Sequence, residues 1–244
     1  MPRFFVPPGT LEGESVMLDR ENAAHAKVMR LRAGDCVTLC DGQGLECEAV
    51  IQDASGGQFA LALSPAFASH AEPSCRASVY MAYAKSDKLE HVAQKATELG
   101  AAEFVVYPSA RCVSRPDEKS LAVRQERWNR ILRSAAEQSG RGVIPQLVLC
   151  RSYAEALARA AKAERFLFFY ENERQRSLRA ALSGGAPKTL ALMTGPEGGF
   201  EPEEAAAAEA SGALVCSLGP RILRCETAPL CALTAALFAC GEYD

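Results

Sequence analysis

Two short stretches near the C-terminus hold residue types that could do chemistry. The first is Thr194-Gly-Pro-Glu-Gly-Gly-Phe200, which lies between an apolar run and an alanine-rich run. Those flanks make it a strand-to-helix loop. Its adjacent glycines permit close backbone approach or a positive φ. No Gly-Lys-Ser/Thr follows, so it is not a phosphate loop. The next helix opens on Glu201-Pro-Glu-Glu204. Three carboxylates there suit the helix dipole and repel a phosphate. A ligand at this loop is therefore neutral or cationic at its contacting end, as the sulfonium of S-adenosylmethionine is. Spacing alone leaves an ordinary glycine turn before a capped helix equally open.

The second stretch is Leu218-Gly-Pro-Arg-Ile-Leu-Arg-Cys-Glu-Thr-Ala228. It too leaves a strand and enters a helix, with Pro229 suited to the first turn and Thr227 or a neighbour to the cap. Arg221 and Arg224 lie three apart. As a pair inside such a loop they point toward function; taken singly, each reads as structural or as a solvated ion-pair partner. Ile222 and Leu223 between them are out of place in a solvated loop. They imply packing against core, cofactor or another subunit.

Such loops need a scaffold, and the sequence around them supplies one. From residue 71 onward, apolar strand-like runs (77–84, 103–107, 146–150, 165–170, 188–194, 213–218) alternate with helical ones (86–99, 118–139, 153–162, 178–182, 202–210 and a last one to about 240). Repeated β-α units predict a mainly parallel sheet covered on both faces. Ligands of such sheets lie outside the C-terminal strand ends. Residues 1–70 read differently: short strands at 15–18, 36–40, 45–51 and 58–63 are separated by Gly/Asp turns, with one helix near 20–30. They predict a small β-barrel, joined by a linker at 68–76.

Bulk properties exclude several classes. The 244 residues are 48% hydrophobic and 23% charged, enough to bury a real core. No run approaches the roughly 20 apolar residues of a membrane span. The opening MPRFFVPPG lacks a signal peptide's apolar run, so the expected location is the cytoplasm. Ten cysteines include no Cys-x-x-Cys, and the only histidines are His25, His70 and His91. Packed reduced thiols are expected, not a metal site. A nicotinamide enzyme would need Gly-x-Gly-x-x-Gly after the first strand, and none is present. The net charge is −3, so any RNA contact must come from local patches.

Taken together, GPEGGF and LGPRILRCETA resemble the cofactor motifs of SPOUT-class methyltransferases, most closely the bacterial 16S ribosomal RNA uridine-N3 methyltransferase family. Met1-Pro-Arg-Phe-Phe-Val6, Lys95-Ala-Thr-Glu-Leu-Gly100 and Ala136-Glu-Gln-Ser-Gly-Arg141 are similar to that family's pattern too. The resemblance covers nearly the whole chain. Departures are Thr194, where a bulkier apolar residue is usual, and Cys225 and Pro229, where Thr and Ala are.

The resemblance implies a SPOUT-type α/β fold with a C-terminal trefoil knot, a rare exception to unknotted chains. It implies a PUA-like RNA-binding barrel at 1–70 and a methyltransferase domain at 71–244. It also implies a homodimer, and 16S ribosomal RNA, in the small ribosomal subunit, as substrate. S-adenosylmethionine would lie against Tyr170, Glu171, Thr194, Gly195, Pro196, Gly198, Gly199, Leu218, Gly219, Ile222, Leu223, Thr227 and Ala228. Methyl transfer to uridine N3 needs an in-line methyl group, loss of the N3 proton, and donors for charge spreading onto O2 and O4. Arg221 or Arg224 would be the donor, and Glu137 or Glu226 the proton acceptor, although Glu226 equally suits a helix start. RNA contacts would come from Arg3, His25, Lys27, Arg30 and Arg32 in the small domain, and from Arg111, Arg115 and Arg141 in the larger. Phe4 and Phe5 suit stacking on bases or core packing. The target base must be unpaired or flipped. A SPOUT enzyme acting on a ribose 2′-OH or a tRNA base, and a non-catalytic RNA-binding module, remain open alternatives.

Overall fold

The computed structural model describes residues 1–113, 116–183 and 185–243. The chain divides into two units. One comprises Met1–Glu72 with Ala136–Ile144, the other Pro73–Ala135 with Pro145–Asp244. A contiguous cut at residues 70 and 71 cannot capture this, because the 136–144 segment is remote in sequence and begins within a helix.

The first unit contains β1 (Arg3–Phe5), β2 (Ser15–Met17), α1 (Arg20–Val28), β3 (Cys36–Cys40), β4 (Leu45–Asp53), β5 (Ala60–Leu63) and β6 (Phe67–Ala68). The sheet runs β1-β3-β4-β5-β2, with β6 on β4. All pairs are antiparallel except β1 with β3. Sequence patterning missed β1 and β6. They are three and two residues long, too short to show an alternation. Phe4 and Phe5 are buried, so core packing is the role the structure gives them. Phe4 joins Val37, Leu39, Ile51 and Leu61 in the core of the unit. Asp19 caps α1, its carboxylate accepting from the Asn22 N–H at 2.7 Å. The 136–144 segment is tied down by Glu72, which accepts from the Gly142 and Val143 N–H groups at 3.0 Å each.

The second unit contains β7 (Arg76–Ala82), α2 (Ser86–Glu98), β8 (Glu103–Tyr107), α3 (Glu118–Ser139), β9 (Gln146–Leu149), α4 (Tyr153–Ala160), β10 (Arg165–Phe169), α5 (Leu178–Ala181), β11 (Thr189–Thr194), α6 (Pro202–Ala210), β12 (Leu214–Cys216) and α7 (Ala228–Ala239). Its six strands are all parallel, in the order β12-β10-β11-β7-β8-β9. Strands β8, β10 and β11 are buried from their second residue onward, as strands sandwiched between helices must be. Side chains alternate between the two faces. Tyr80, Val105, Phe168 and Met193 pack with Ala156, Leu157 and Ala160 of α4 and Ala205 and Ala208 of α6. Helices α2 and α7 pack together, and α7 lies on β7 and β11.

All ten cysteines are free thiols. Cys40, Cys47, Cys75, Cys150, Cys216 and Cys225 are buried. Cys47, Cys150 and Cys216 act as small apolar side chains, whereas Cys40 accepts from Arg3 and Cys225 from Lys88. No helix among the described residues is long and apolar enough to cross a membrane.

Candidate active site

Strands β10, β11 and β12 are neighbours, and the chain leaves their C-terminal ends in three loops. A cavity of about 500 Å³ opens there, walled by Phe169-Tyr170-Glu171, by residues 194–199, and by the run from Ser217 to Cys225. Cavities of roughly 300–1,000 Å³ are the usual size for a small-molecule ligand.

The 194–200 loop is held rigidly from behind. Thr194 is buried, and its hydroxyl donates to the Tyr80 carbonyl at 3.2 Å. The Thr194 carbonyl in turn accepts the Tyr107 hydroxyl at 2.7 Å. A polar residue is therefore accommodated where an apolar one is usual, because its hydroxyl is satisfied. Phe200 stacks on Phe168 with ring centroids 4.2 Å apart. That ring crowds Gly195, where a Cβ would sit 3.2 Å from Phe200 and the ring would have to give by a few tenths of an ångström. Gly199 has φ 69°, and a Cβ there would overlap the Glu171 carboxylate.

Two of the three carboxylates after this loop, Glu201 and Glu204, bond back to the protein, while Glu203 is exposed. Glu204 accepts from the Ser109 hydroxyl at 2.8 Å and the Ala110 N–H at 2.9 Å. Its other oxygen accepts the Glu201 N–H at 2.9 Å, one half of a capping box. Arg111 forks onto Glu201, at 2.7 and 2.8 Å, and donates to the Gly198 carbonyl at 3.0 Å. The start of α6 is thus capped by its own side chains, a firmer reason than charge repulsion for it not to hold a phosphate.

The 217–227 loop is anchored at both ends. The Ser217 N–H donates to the Arg176 carbonyl at 2.9 Å. The Thr227 and Ala228 N–H groups both donate to the Arg224 carbonyl at 2.9 Å. Pro229 sits in the first turn of α7, and Thr227 at the cap position makes no side-chain capping bond. Between the anchors, the N–H groups of Leu218, Ile222 and Leu223 make no hydrogen bond among the described residues. Ile222 is 75% exposed. Core packing, one of three explanations for Ile222-Leu223, is therefore excluded for Ile222. Apolar side chains beside unpaired backbone donors in a concave wall fit a ligand that is partly apolar and accepts hydrogen bonds. S-adenosylmethionine, with its adenine ring and carboxylate, meets that description.

Of the residues expected to bind cofactor, Tyr170, Glu171, Thr194, Gly195, Pro196, Gly198, Gly199, Leu218, Gly219, Ile222, Leu223 and Ala228 line the cavity, and Thr227 does not. Arg221 and Arg224 line it as well, with no carboxylate within 4.0 Å of either among the described residues. Glu137 does not line it and belongs to the segment grouped with the first unit. Glu226 lies just outside the cavity wall, 3.2 Å from Lys88. Burial would raise its pKa, but backbone, Cys225 and Lys88 hydrogen bonds outweigh that and hold it below its ordinary range. A depressed carboxyl suits a charge partner better than a general base. Sequence reasoning missed Lys88, Phe169, Glu197, Ser217 and Cys225, all of which line the cavity. Lys88 is over 80 residues from the loops, so only the fold brings it there.

The basic residues of the first unit separate into two groups. His25, Lys27, Arg30 and Arg32 are exposed along α1 and just beyond it. His25 packs edge-on against Phe4, and Arg30 adopts φ 60°. Arg3 is paired with Glu46, and the Arg141 side chain, only 4% exposed, is paired with Glu72. These two are engaged in ion pairs inside the unit, unlike the four exposed residues. Arg111 is likewise committed to Glu201, and Arg115 lies outside the described residues.

A family model described as an RNA methyltransferase domain matches residues 71–237, and one described as an RNA methyltransferase PUA domain matches residues 18–63. Fold and site thus define an RNA methyltransferase domain carrying a PUA domain. Ribosomal RNA small subunit methyltransferase E of Bacillus subtilis is 33% identical over 230 residues, covering 92% of this chain and 90% of that protein. The Mycobacterium bovis protein of the same name is 33% identical over 250 residues, covering 99% and 93%. The Neisseria gonorrhoeae protein of that name, solved bound to S-adenosylmethionine, superposes with a TM-score of 0.87 at 31% identity, covering 96% of each chain. A Legionella pneumophila protein solved with S-adenosylmethionine as bound cofactor superposes equally well, at 30% identity and 97% of each chain. The chain belongs to the ribosomal RNA small subunit methyltransferase E family.

Proposed function

We propose that this chain methylates N3 of a uridine in 16S ribosomal RNA, using S-adenosylmethionine. The observation that carries the reading is the cavity at the ends of β10, β11 and β12. It gathers both motif loops and Tyr170-Glu171 into one wall, together with Arg221 and Arg224, which have no ion pair among the described residues. When bound, S-adenosylmethionine supplies an electrophilic methyl group. The chain orients it with the rigid 194–199 backbone and with the unpaired N–H groups of the 217–227 loop. Arg221 and Arg224 are placed to hold the negative charge that develops on uracil O2 and O4. Glu226 acts as the counter-ion of Lys88.

The small domain, residues 1–70 with the 136–144 segment grouped with it, is the RNA-binding part, and the rest of 71–244 carries the methyltransferase. Exposed His25, Lys27, Arg30 and Arg32, with exposed Val28 and Met29 among them, suit a backbone-and-base contact. The protein acts as a homodimer. Support comes from α7, whose buried side is Pro229, Ala232, Leu233, Ala236 and Leu237, yet whose outer side carries Leu230, Cys231, Ala235 and a 64% exposed Phe238. A helix whose outer side is apolar but for Thr234 needs cover on both sides. That outer face adjoins Glu226 and Thr227, so a second copy covering it would lie beside the second loop. The C-terminal chain is knotted, the substrate is the RNA of the small ribosomal subunit, and the protein works in the cytoplasm.

Calorimetry with S-adenosylmethionine tests the first half of this reading. An absence of binding would leave a non-catalytic RNA-binding module. Mass mapping of RNA from a strain lacking the protein tests the second half. The expected loss is one methyl on a 16S uridine base, restored by the wild-type chain. A missing 2′-O-methyl or a tRNA change would transfer the enzyme to another target.

A further inference from the structure

We infer that Lys88 is a positioning residue that clamps the two cofactor loops to each other. The inference rests on the cofactor reading above and names a residue that neither motif contains. Lys88 lies in the first turn of α2, and its ammonium reaches both loops at once. It stands 3.6 Å from Glu197 of the first loop. It stands 3.2 Å from Glu226 and 3.6 Å from the Cys225 sulfur of the second. The Cys225 thiol also lies 3.3 Å from the Glu226 carboxylate, closing a ring of charge-assisted contacts.

The same helix end takes hold of the first loop a second time, because the Lys85 N–H donates to Glu197 at 3.2 Å. Glu197 is thus drawn to the positive end of α2 by a dipole, an N–H and an ammonium together. Side-chain exposures of 21%, 24% and 30% for Lys88, Glu197 and Glu226 put these charges at the half-buried edge of the cavity. Screening there is weaker than on an open surface. Each loop otherwise has its own separate anchors: Tyr107 and Arg111 for the first, Arg176 and the start of α7 for the second. Among the charged side chains described, Lys88 is the one with ion pairs to both loops.

The consequence is that the gap between the loops, which a cofactor must match, is set by one side chain outside both. Removing the ammonium leaves Glu197 and Glu226 as two like charges facing each other across that gap. The loops should then drift apart. A lysine-to-arginine change keeps the charge and the bridge, whereas lysine-to-methionine keeps only the aliphatic stem.

The test uses the full-length protein and three variants, Lys88→Met, Lys88→Arg and Glu197→Gln. Hydrogen exchange is followed in the protein without ligand, and S-adenosylmethionine binding is measured by calorimetry. In Lys88→Met, exchange should rise in residues 194–200 and 217–227 together, with the sheet strands unchanged. Cofactor Kd should rise about tenfold, the effect of losing two part-buried charged contacts. Lys88→Arg should recover most of both effects. Glu197→Gln should loosen the first loop while leaving Lys88 on Glu226, which keeps the test alive should Lys88→Met fail to fold. Unchanged exchange in either loop, exchange rising throughout the domain, or an arginine variant as poor as methionine would overturn the clamp. If the wild type fails to bind S-adenosylmethionine, the cofactor reading falls while the exchange data still decide the clamp.

Discussion

Glu204 offers the sharpest test of how the first cofactor loop is held. The residue is 8% exposed, yet it does not line the cavity. Its two oxygens accept three hydrogen bonds, from the Ser109 hydroxyl, the Ala110 N–H and the Glu201 N–H, all within 2.9 Å. Replacing it with alanine removes all three. An intramolecular hydrogen bond contributes about 1 kcal/mol net, so Glu204→Ala should cost at least about 3 kcal/mol. Glu204→Gln keeps one oxygen for Ser109 and Ala110 but turns an NH₂ toward the Glu201 N–H, so about 1 kcal/mol should go. For a unit of this size 1 kcal/mol moves Tm by about 2–4 °C, which predicts drops of about 6–12 °C and about 2–4 °C. Thermal unfolding followed by circular dichroism reads both. The Gly-Gly turn is carried by the same capping box, so cofactor affinity should fall in the same order. An alanine variant within about 1 kcal/mol of wild type, or glutamine as damaging as alanine, would refute the assignment of these bonds as the loop's anchor.

Three further outcomes are expected. Arg224→Ala should cut single-turnover methyl transfer to small-subunit RNA by about 100-fold while cofactor Kd moves little, as for loss of a transition-state donor; unchanged turnover would remove Arg224 from the reaction. Gly199→Ala forces a positive φ costing about 1 kcal/mol and displaces the Glu171 carboxylate; calorimetry should show weaker cofactor binding, and an unaltered Kd would contradict the close approach. Phe238→Arg places a charge on the apolar outer face of α7 and should convert a dimer to monomer in sedimentation; an unchanged mass would move the subunit contact elsewhere.

The α/β scaffold was legible because its signal is local. Buried parallel strands are apolar at nearly every position, and Gly100 and Gly140 mark the ends of α2 and α3. The two motif loops were legible for a related reason: their chemistry is contiguous in sequence. The three- and two-residue strands β1 and β6 were invisible to patterning, because pairing with β3 and β4, not composition, makes them strands. Cys225 and Thr194 stood out in the sequence as departures from the family pattern. The structure supplies their reasons, a sulfur between Lys88 and Glu226 and a hydroxyl donated to Tyr80.

By itself, the sequence pointed to two loops as the candidate ligand site and argued against a phosphate there. Glycine spacing, missing Gly-Lys-Ser/Thr and acidic residues are properties of neighbours along the chain. Only the tertiary structure decided which charges are free to act. Arg3, Arg111 and Arg141 look like free charges until Glu46, Glu201 and Glu72 are seen beside them. Lys88 looks like a helix-surface lysine until Glu197 and Glu226 arrive from loops more than 100 residues away. A charge's availability depends on what lies within about 4 Å of it. Between side chains so far apart in sequence, that distance exists only after folding.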